Sequence, residues 1–249
     1  MKSSTIEALL SKRGAWPKGL AGDMSAARSR AELSQLIASD YMCFEHLRDM
    51  MFKLVCAVSA EDHEFVYAHP EMKPLMRLMG QAGVADEHFH VGVKLNAIAK
   101  RYLSGGWLEE LAWLAALEAG ANEALYGQVL GWEFKGYTGE NEIDLIMRKG
   151  SKLTFVSCKA LKSHLDSDDR KLRHKLMDAV HEADNLADHF GRHGEKVALV
   201  VSTELFDEVR KIPRYQALLG KAAVLDVHII ALQELDWDKL VLAMQGLLA

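Results

Sequence analysis

The sequence predicts an α/β protein: a mixed sheet flanked by helices, preceded by a mainly helical N-terminal region. Three observations carry this expectation. The runs EIDLIMR (142–148) and KLTFVSCKA (152–160) are strand-like and are separated by Lys149-Gly150-Ser151, the pattern of a hairpin. After them helical and strand-like segments alternate, which places helices on the faces of a sheet. Before them, apolar residues recur mostly at helical spacing.

Residues 1–64 read as the helical N-terminal region. Asp23 and Ser25 are suited to cap a segment through Ile37 and Ala38, with Leu33, Leu36 and Ile37 on one face. Tyr41 to Val58 is mostly apolar, as in a buried helix, although FKLVCAVS (52–59) also reads as a strand because Val55 and Val58 are β-branched. Residues 65–104 read as a winged-helix-like linker. There Pro70 and Pro74 bound a short helix, Leu75 to Met79, Gly80 and Gly83 mark turns, and FHVGV alternates as a strand would. At Gly105 the character changes, and residues 105–249 read as one α/β domain. It opens with a helix from Trp107 to about Leu117, a run from Val129 to Phe134, and a turn-rich loop, KGYTGEN (135–141). The hairpin follows, then a long helix from about Asp168 to Phe190. Gly191 and Gly194 lead into the buried strand KVALVVST, followed by a further helix and the strand VLDVHIIAL.

Composition narrows the classes. The 249 residues are 49% hydrophobic and 26% charged, ordinary for a soluble globular chain. No apolar run approaches the span of a bilayer, so no membrane partner is expected. MKSSTIEALLSKRG lacks the apolar core and cleavage site of a secretory signal, and the expected location is the cytoplasm. Cys43, Cys56 and Cys158 have neither metal-type nor disulfide-type spacing. A net charge of −5 exerts no general pull on nucleic acid, so any such binding must come from a local basic surface. No Gly-rich turn follows a strand, which argues against a dinucleotide fold.

Chemistry concentrates in the hairpin. Side chains at i and i+2 of a strand share a face, so Glu142 points with Asp144, and Ser157 with Lys159, while Cys158 points away. Antiparallel pairing brings Asp144 beside Ser157 and Lys159. As a plain cross-strand ion pair these charges would contribute only about 0.2–1 kcal/mol. The sharper reading is phosphodiester hydrolysis. Oxygen ligands hold Mg²⁺ or Mn²⁺, which polarises a phosphate and lowers the pKa of a bound water. A lysine beside the metal orients that water or steadies charge in the transition state. Glu109 or Glu110, in GGWLEEL (105–111), is placed to supply a further carboxylate, and the 100° step between helical neighbours keeps the two from facing the site equally.

The ordered set GGWLEEL, GENEIDLIM, KLTFVSCKA, a helix ending in HFG and then KVALVVST resembles the nuclease half of certain CRISPR-associated effectors. Those proteins join a CARF sensor domain to a PD-(D/E)xK endonuclease domain with a restriction-endonuclease-like fold. The resemblance covers about residues 90 to 230. It implies a Mg²⁺- or Mn²⁺-dependent endonuclease that cuts DNA, or less readily RNA, as a homodimer in CRISPR-linked or other anti-phage defence. On the matched motifs, Glu109 is the helix carboxylate, Asp144 the main metal ligand and Lys159 the catalytic lysine. Glu110, Asn141 and Glu142 fall beside these positions as supporting residues. Two departures stand out. The (D/E)xK signature reads Ser157-Cys158-Lys159, so a hydroxyl replaces a carboxylate that holds a hard cation more tightly. The backbone carbonyl of Cys158, with Glu109 or Glu142, is then expected to fill the metal shell. Residues 1–64 also lack the length and pattern of a CARF sensor, and no control by cyclic oligoadenylate is expected from them.

Other motifs take blander readings. Asp86, His88 and His90 would share a strand face but lack a fourth metal ligand, so a solvated edge is expected. His164, Asp166, Asp168 and Asp169 read as a solvated connection. Arg170, Lys171, Arg173, His174 and Lys175 make a basic start to the long helix: by default a solvated face, or, so close to Lys159 in sequence, a surface that tracks a phosphate backbone. Cys158 points away from Lys159, and Ser157 lacks a triad or nucleophile elbow, so neither is expected to be a nucleophile. The rival reading, favoured by Ser157, is a weakened nuclease fold that binds nucleic acid or protein.

Overall fold

The computed structural model describes residues 5–54, 72–85 and 95–249. The N-terminal part contributes α1 (Ile6–Ser11), β1 (Ala15–Lys18), α2 (Met24–Ser29), α3 (Ala31–Ser39), α4 (Tyr41–Leu54) and α5 (Met72–Gln81). Then follow α6 (Ala97–Arg101), a wide turn over Tyr102–Gly106 where Gly105 leaves the helical conformation, and α7 (Trp107–Glu118). The remainder runs β2 (Glu123–Phe134), β3 (Tyr137–Lys149), β4 (Lys152–Lys159), α8 (Arg170–Phe190) and β5 (Lys196–Val201). It closes with β6 (Phe206–Asp207), β7 (Ile212–Pro213), α9 (Gln216–Val224), β8 (Val227–Ile230) and α10 (Trp237–Leu248).

One six-stranded mixed sheet, in the order β1-β2-β3-β4-β5-β8, organises the molecule. Its first three joints are antiparallel and its last two, β4-β5 and β5-β8, are parallel. Each face is covered. Trp107, Leu108, Leu111 and Ala115 of α7 pack with Leu145, Met147, Val156 and Val200, and the N-terminal helices cover α7 in turn. On the other face Leu172, Leu176, Val180 and Ala183 of α8 pack with Ile146, Phe155, Leu199 and Val201. Because α7 is enclosed on all sides it is apolar almost all round, and its two carboxylates are therefore conspicuous. The expected α/β class, with helices on a mixed sheet and helices before it, is borne out.

Several details differ from the sequence expectation. The helical N-terminal region contains β1, which pairs with β2 from Ala15↔Trp132 to Lys18↔Val129 and so completes the sheet's edge. Four residues containing a proline carry almost no strand signal, yet an edge strand tolerates Pro17 because it needs fewer ladder bonds. KGYTGEN is not a loop: Tyr137 to Glu142 continue β3, and the turn is only Lys135-Gly136, both at positive φ. The expected helix Leu75–Met79 extends over Met72–Gln81. Within FKLVCAVS, residues 52–54 end α4 as helix, and the rest lies outside the described residues. FHVGV, the metal-like triplet Asp86, His88 and His90, and most of the winged-helix-like linker also lie outside them. Among the described residues no helix is long and apolar enough to cross a membrane.

Candidate active site

The site forms where β3 leaves β4. Their pairing ends at Leu145↔Val156, beyond which Ser157 to Lys159 pair only with β5. The gap is filled by the Asp144 carboxylate, whose Oδ2 accepts from the Cys158 amide at 2.7 Å and the Ser157 hydroxyl at 3.1 Å. A carboxylate thus takes an amide that would otherwise bond across the ladder, and its position is fixed by two donors.

On the other side of β3, the regular β2 ladder skips Gly127 opposite Asp144, and Gly127 has φ +54°. The distortion also shows in burial. Leu145 and Met147 belong to the core under α7, whereas Ile143 packs in the core under α8. The simple alternation expected for Glu142, Ile143, Asp144 and Leu145 is therefore broken at the site. Any side chain on Gly127 would require a strained backbone, and its Cβ would lie 3.0 Å from the Arg101 guanidinium and 3.6 Å from Glu109 Oε2.

Glu109 enters from the first turn of α7. Arg101 Nη2 stands 3.6 Å from Glu109 Oε2 and 3.4 Å from Glu142 Oε1, bridging the two. The approach to Glu109 is too long for a hydrogen bond, and its buried Oε2 has no hydrogen-bond partner. Burial, reinforced by the negative charge of Asp144 and partly opposed by Arg101, pushes the Glu109 carboxyl up to about 7 from the ordinary 4.5. A raised folded-state pKa means that the folded protein holds this proton more tightly than the unfolded chain. The protein without metal should therefore lose stability as pH rises from about 4.5 through about 7. Glu109→Gln removes that penalty: it should melt like the wild type near pH 4 and higher at pH 8, by up to roughly 3 kcal/mol. Thermal melting at the two pH values checks this.

Lys159 ends β4 with its Nζ 2.9 Å from Glu182 Oε2 on α8. Burial alone would lower its pKa, but Glu182 and the charge of Asp144 raise it, so the ammonium is secured. The Cys158 thiol is buried and pushed well above its usual range by burial and then by Asp144 and Glu109. Both effects disfavour the thiolate, the nucleophilic form of a cysteine.

The other candidate residues divide. Glu110 turns away from the site and pairs with Arg30, Nε to Oε2 at 3.0 Å and Nη2 to Oε1 at 2.5 Å. Asn141 accepts from Trp132 Nε1 at 2.8 Å on the exposed part of the β2–β3 hairpin. Glu142 is exposed and reaches the site through Arg101. Arg173 bonds the Arg214 carbonyl at 3.3 Å and lies over the Tyr215 ring, away from Lys171 and Lys175. Asp169 caps α8 by accepting from the Leu172 amide, while His164 lies 3.4 Å from Asp166 and 3.8 Å from Glu204. Arg101 and Glu182 escaped the sequence reading. Neither lies in a motif, and only the fold brings them to residues 41 and 23 positions away.

Two cavities adjoin the site. One of about 280 Å³ borders Glu109 and is lined by Arg30, Arg101, Tyr102, Glu110 and Tyr126, among others. The other, about 420 Å³, begins at Ala160, directly after Lys159, and collects Arg48, Phe52, Lys162, Lys171 and Lys175.

A carboxylate held at a strand break, a lysine two residues after a buried serine on the next strand, and a half-buried helix glutamate thus stand at one end of the β3–β4 junction. The chain belongs to the Card1-like endonuclease domain family, which matches residues 96–222. The resemblance drawn from the sequence motifs is thereby borne out. No curated protein sequence matches the chain. Among solved structures it is similar to protein VC1899 from Vibrio cholerae, with 16% identity and a TM-score of 0.66 over 97% of this chain and 61% of that one. It is also similar to Can2 from Sulfobacillus thermosulfidooxidans, solved in complex with cyclic tetra-adenylate, with 12% identity and a TM-score of 0.60 over 96% and 61% of the two chains. The chain thus spans 61% of the length of each of these structures, and at such identities the likeness is one of fold.

Proposed function

We propose that this protein is a divalent-metal-dependent endonuclease that hydrolyses phosphodiester bonds of nucleic acid, DNA more readily than RNA, as a homodimer in CRISPR-linked defence. The observation that carries the reading is the convergence of Asp144, Ser157, Cys158 and Lys159 at the parting of β3 and β4, with Glu109 beside them.

The residues suit Mg²⁺ or Mn²⁺. Among the described residues no three His, Cys, Asp or Glu side chains converge to hold an ion unaided. The holders would instead be Asp144, Glu109 and the Cys158 backbone carbonyl, a hard-oxygen set that would leave places for water and phosphate oxygens. The unpartnered Glu109 Oε2 supports this choice, since a cation there would satisfy an atom that is otherwise costly to bury. When bound, the ion supplies charge stabilisation and an acidified water. Lys159 would hold its ammonium toward the phosphate and steady the negative charge that develops on it. Ser157 orients Asp144 through its hydroxyl.

The basic cavity beside Lys159 would carry the flanking phosphates. Its lining includes Arg48, Lys162, Lys171 and Lys175 against one acid, Asp169, in a chain whose overall charge is −5. Lys171→Gln with Lys175→Gln should weaken nucleic-acid binding and flatten the slope of log Kd against log salt by roughly 1.4 to 1.8, measured by fluorescence anisotropy in Ca²⁺. The test of the whole reading is incubation of supercoiled plasmid, single-stranded DNA and RNA with Mg²⁺, Mn²⁺ or EDTA. Cutting that requires the metal supports it, and the polymer cut fastest identifies the substrate. Metal-independent cutting overturns the metal dependence, and salt-dependent binding without any cutting favours the binding-module reading that Ser157 suggests.

A further inference from the structure

Ser157 stands where the resembled (D/E)xK signature has a carboxylate, so β4 itself brings no negative charge to Lys159. Its position, two residues before Lys159 on the same strand face, is where a strand carboxylate would lie beside the ammonium. The serine is 4% exposed, and its hydroxyl donates to Asp144. Asp144 is itself engaged by Ser157 and the Cys158 amide. Lys159 nevertheless has a carboxylate partner: Glu182 Oε2, at 2.9 Å, reaching over from α8.

The placement of Glu182 follows from the helix. Leu172, Leu176, Ala179, Val180 and Ala183 form the buried stripe of α8 against the sheet. Steps of four, three and four residues put Lys171, Lys175, Asp178 and Glu182 along one flank of that stripe. The same edge that carries Lys171 and Lys175 over the basic cavity therefore carries Glu182 over Lys159. Packing of α8 on β4 and β5 sets the height of this carboxylate above the strand end.

We propose that Glu182 is the positioning residue of Lys159, a carboxylate on α8 that holds the ammonium at the rim of the Asp144–Glu109 site. The proposal rests on the nuclease reading and adds a residue to it. Glu182 acts through the lysine and leaves the metal to Asp144, Glu109 and the Cys158 carbonyl. An exposed ion pair of this kind contributes little to stability, so its removal leaves the fold intact.

The test uses Glu182→Gln, Glu182→Asp, Lys159→Met and the double variant Glu182→Gln/Lys159→Met of the full chain. Two quantities are measured: cleavage kinetics on a labelled oligonucleotide of whichever polymer the wild type cuts, and Mn²⁺ affinity by calorimetry without nucleic acid. Glu182→Gln should lower kcat about 10- to 100-fold with KM nearly unchanged, as expected when a catalytic group loses its alignment. Glu182→Asp should recover most of that loss. In the Lys159→Met background the Gln substitution should have no further effect, and Mn²⁺ affinity should stay within about twofold of wild type in Glu182→Gln. An unchanged kcat in Glu182→Gln, with the wild type active, reduces the pair to a surface ion pair and overturns the proposal alone. Much weaker Mn²⁺ binding, with losses that multiply in the double variant, makes Glu182 a metal ligand and also overturns it. A folded wild type that cuts no polymer in either metal overturns both the proposal and the nuclease reading.

Discussion

Asp144→Asn is expected to abolish Mn²⁺ uptake and lower the cleavage rate by roughly 10³-fold or more, since an ion bound at this position supplies several kcal/mol of transition-state stabilisation. The substitution is nearly isosteric. The side-chain amide oxygen it introduces would still accept from the Cys158 amide and the Ser157 hydroxyl, which fix the wild-type carboxylate from 2.7 and 3.1 Å. The fold should therefore survive, and circular dichroism with thermal melting should show it. Calorimetric titration with Mn²⁺ checks the first loss and a timed cleavage assay the second. A variant that still binds Mn²⁺ as the wild type does would move the metal away from the β3–β4 junction.

Lys159→Met is expected to separate binding from chemistry. Its ammonium is held by Glu182 and lies near Asp144, and Met keeps the aliphatic stem while removing the charge. The cleavage rate should fall about 10²- to 10³-fold, the scale of losing one preorganised charge from a transition state. Mn²⁺ binding should persist or tighten, because a like charge beside the ion is gone. Loss of metal affinity together with activity would instead make Lys159 a structural partner of the carboxylates.

Much of the fold was legible because it rests on local rules. The hairpin turn at Gly150-Ser151 and the reach of α7 and α8 follow from turn chemistry and periodicity. The juxtaposition of Asp144 with Ser157 was legible for the same reason, since a short turn leaves little freedom of register. What escaped depends on contacts made elsewhere. β1 is a strand only because β2 offers it an edge. Tyr137 to Glu142 look like a loop because that part of the hairpin is largely exposed, and Gly139 is needed so that the Trp132 ring can lie over it. The choice between Glu109 and Glu110 was bounded by helix geometry but decided by Arg30, which draws Glu110 the other way. Arg101 and Glu182 carried no local signal at all, because each acquires its meaning from the residue that the fold sets opposite it.

The Asp144–Lys159 hairpin is proposed to be a working metal-dependent nuclease site. The most direct measurement is the single-turnover cleavage rate of wild type and Lys159→Met in Mn²⁺, with EDTA as the control. Cutting by the wild type that needs the metal, and a loss of about 10²-fold or more in a variant that melts normally, is the expected result. Cutting by Lys159→Met at the wild-type rate, or none by a folded wild type in either metal, would contradict it.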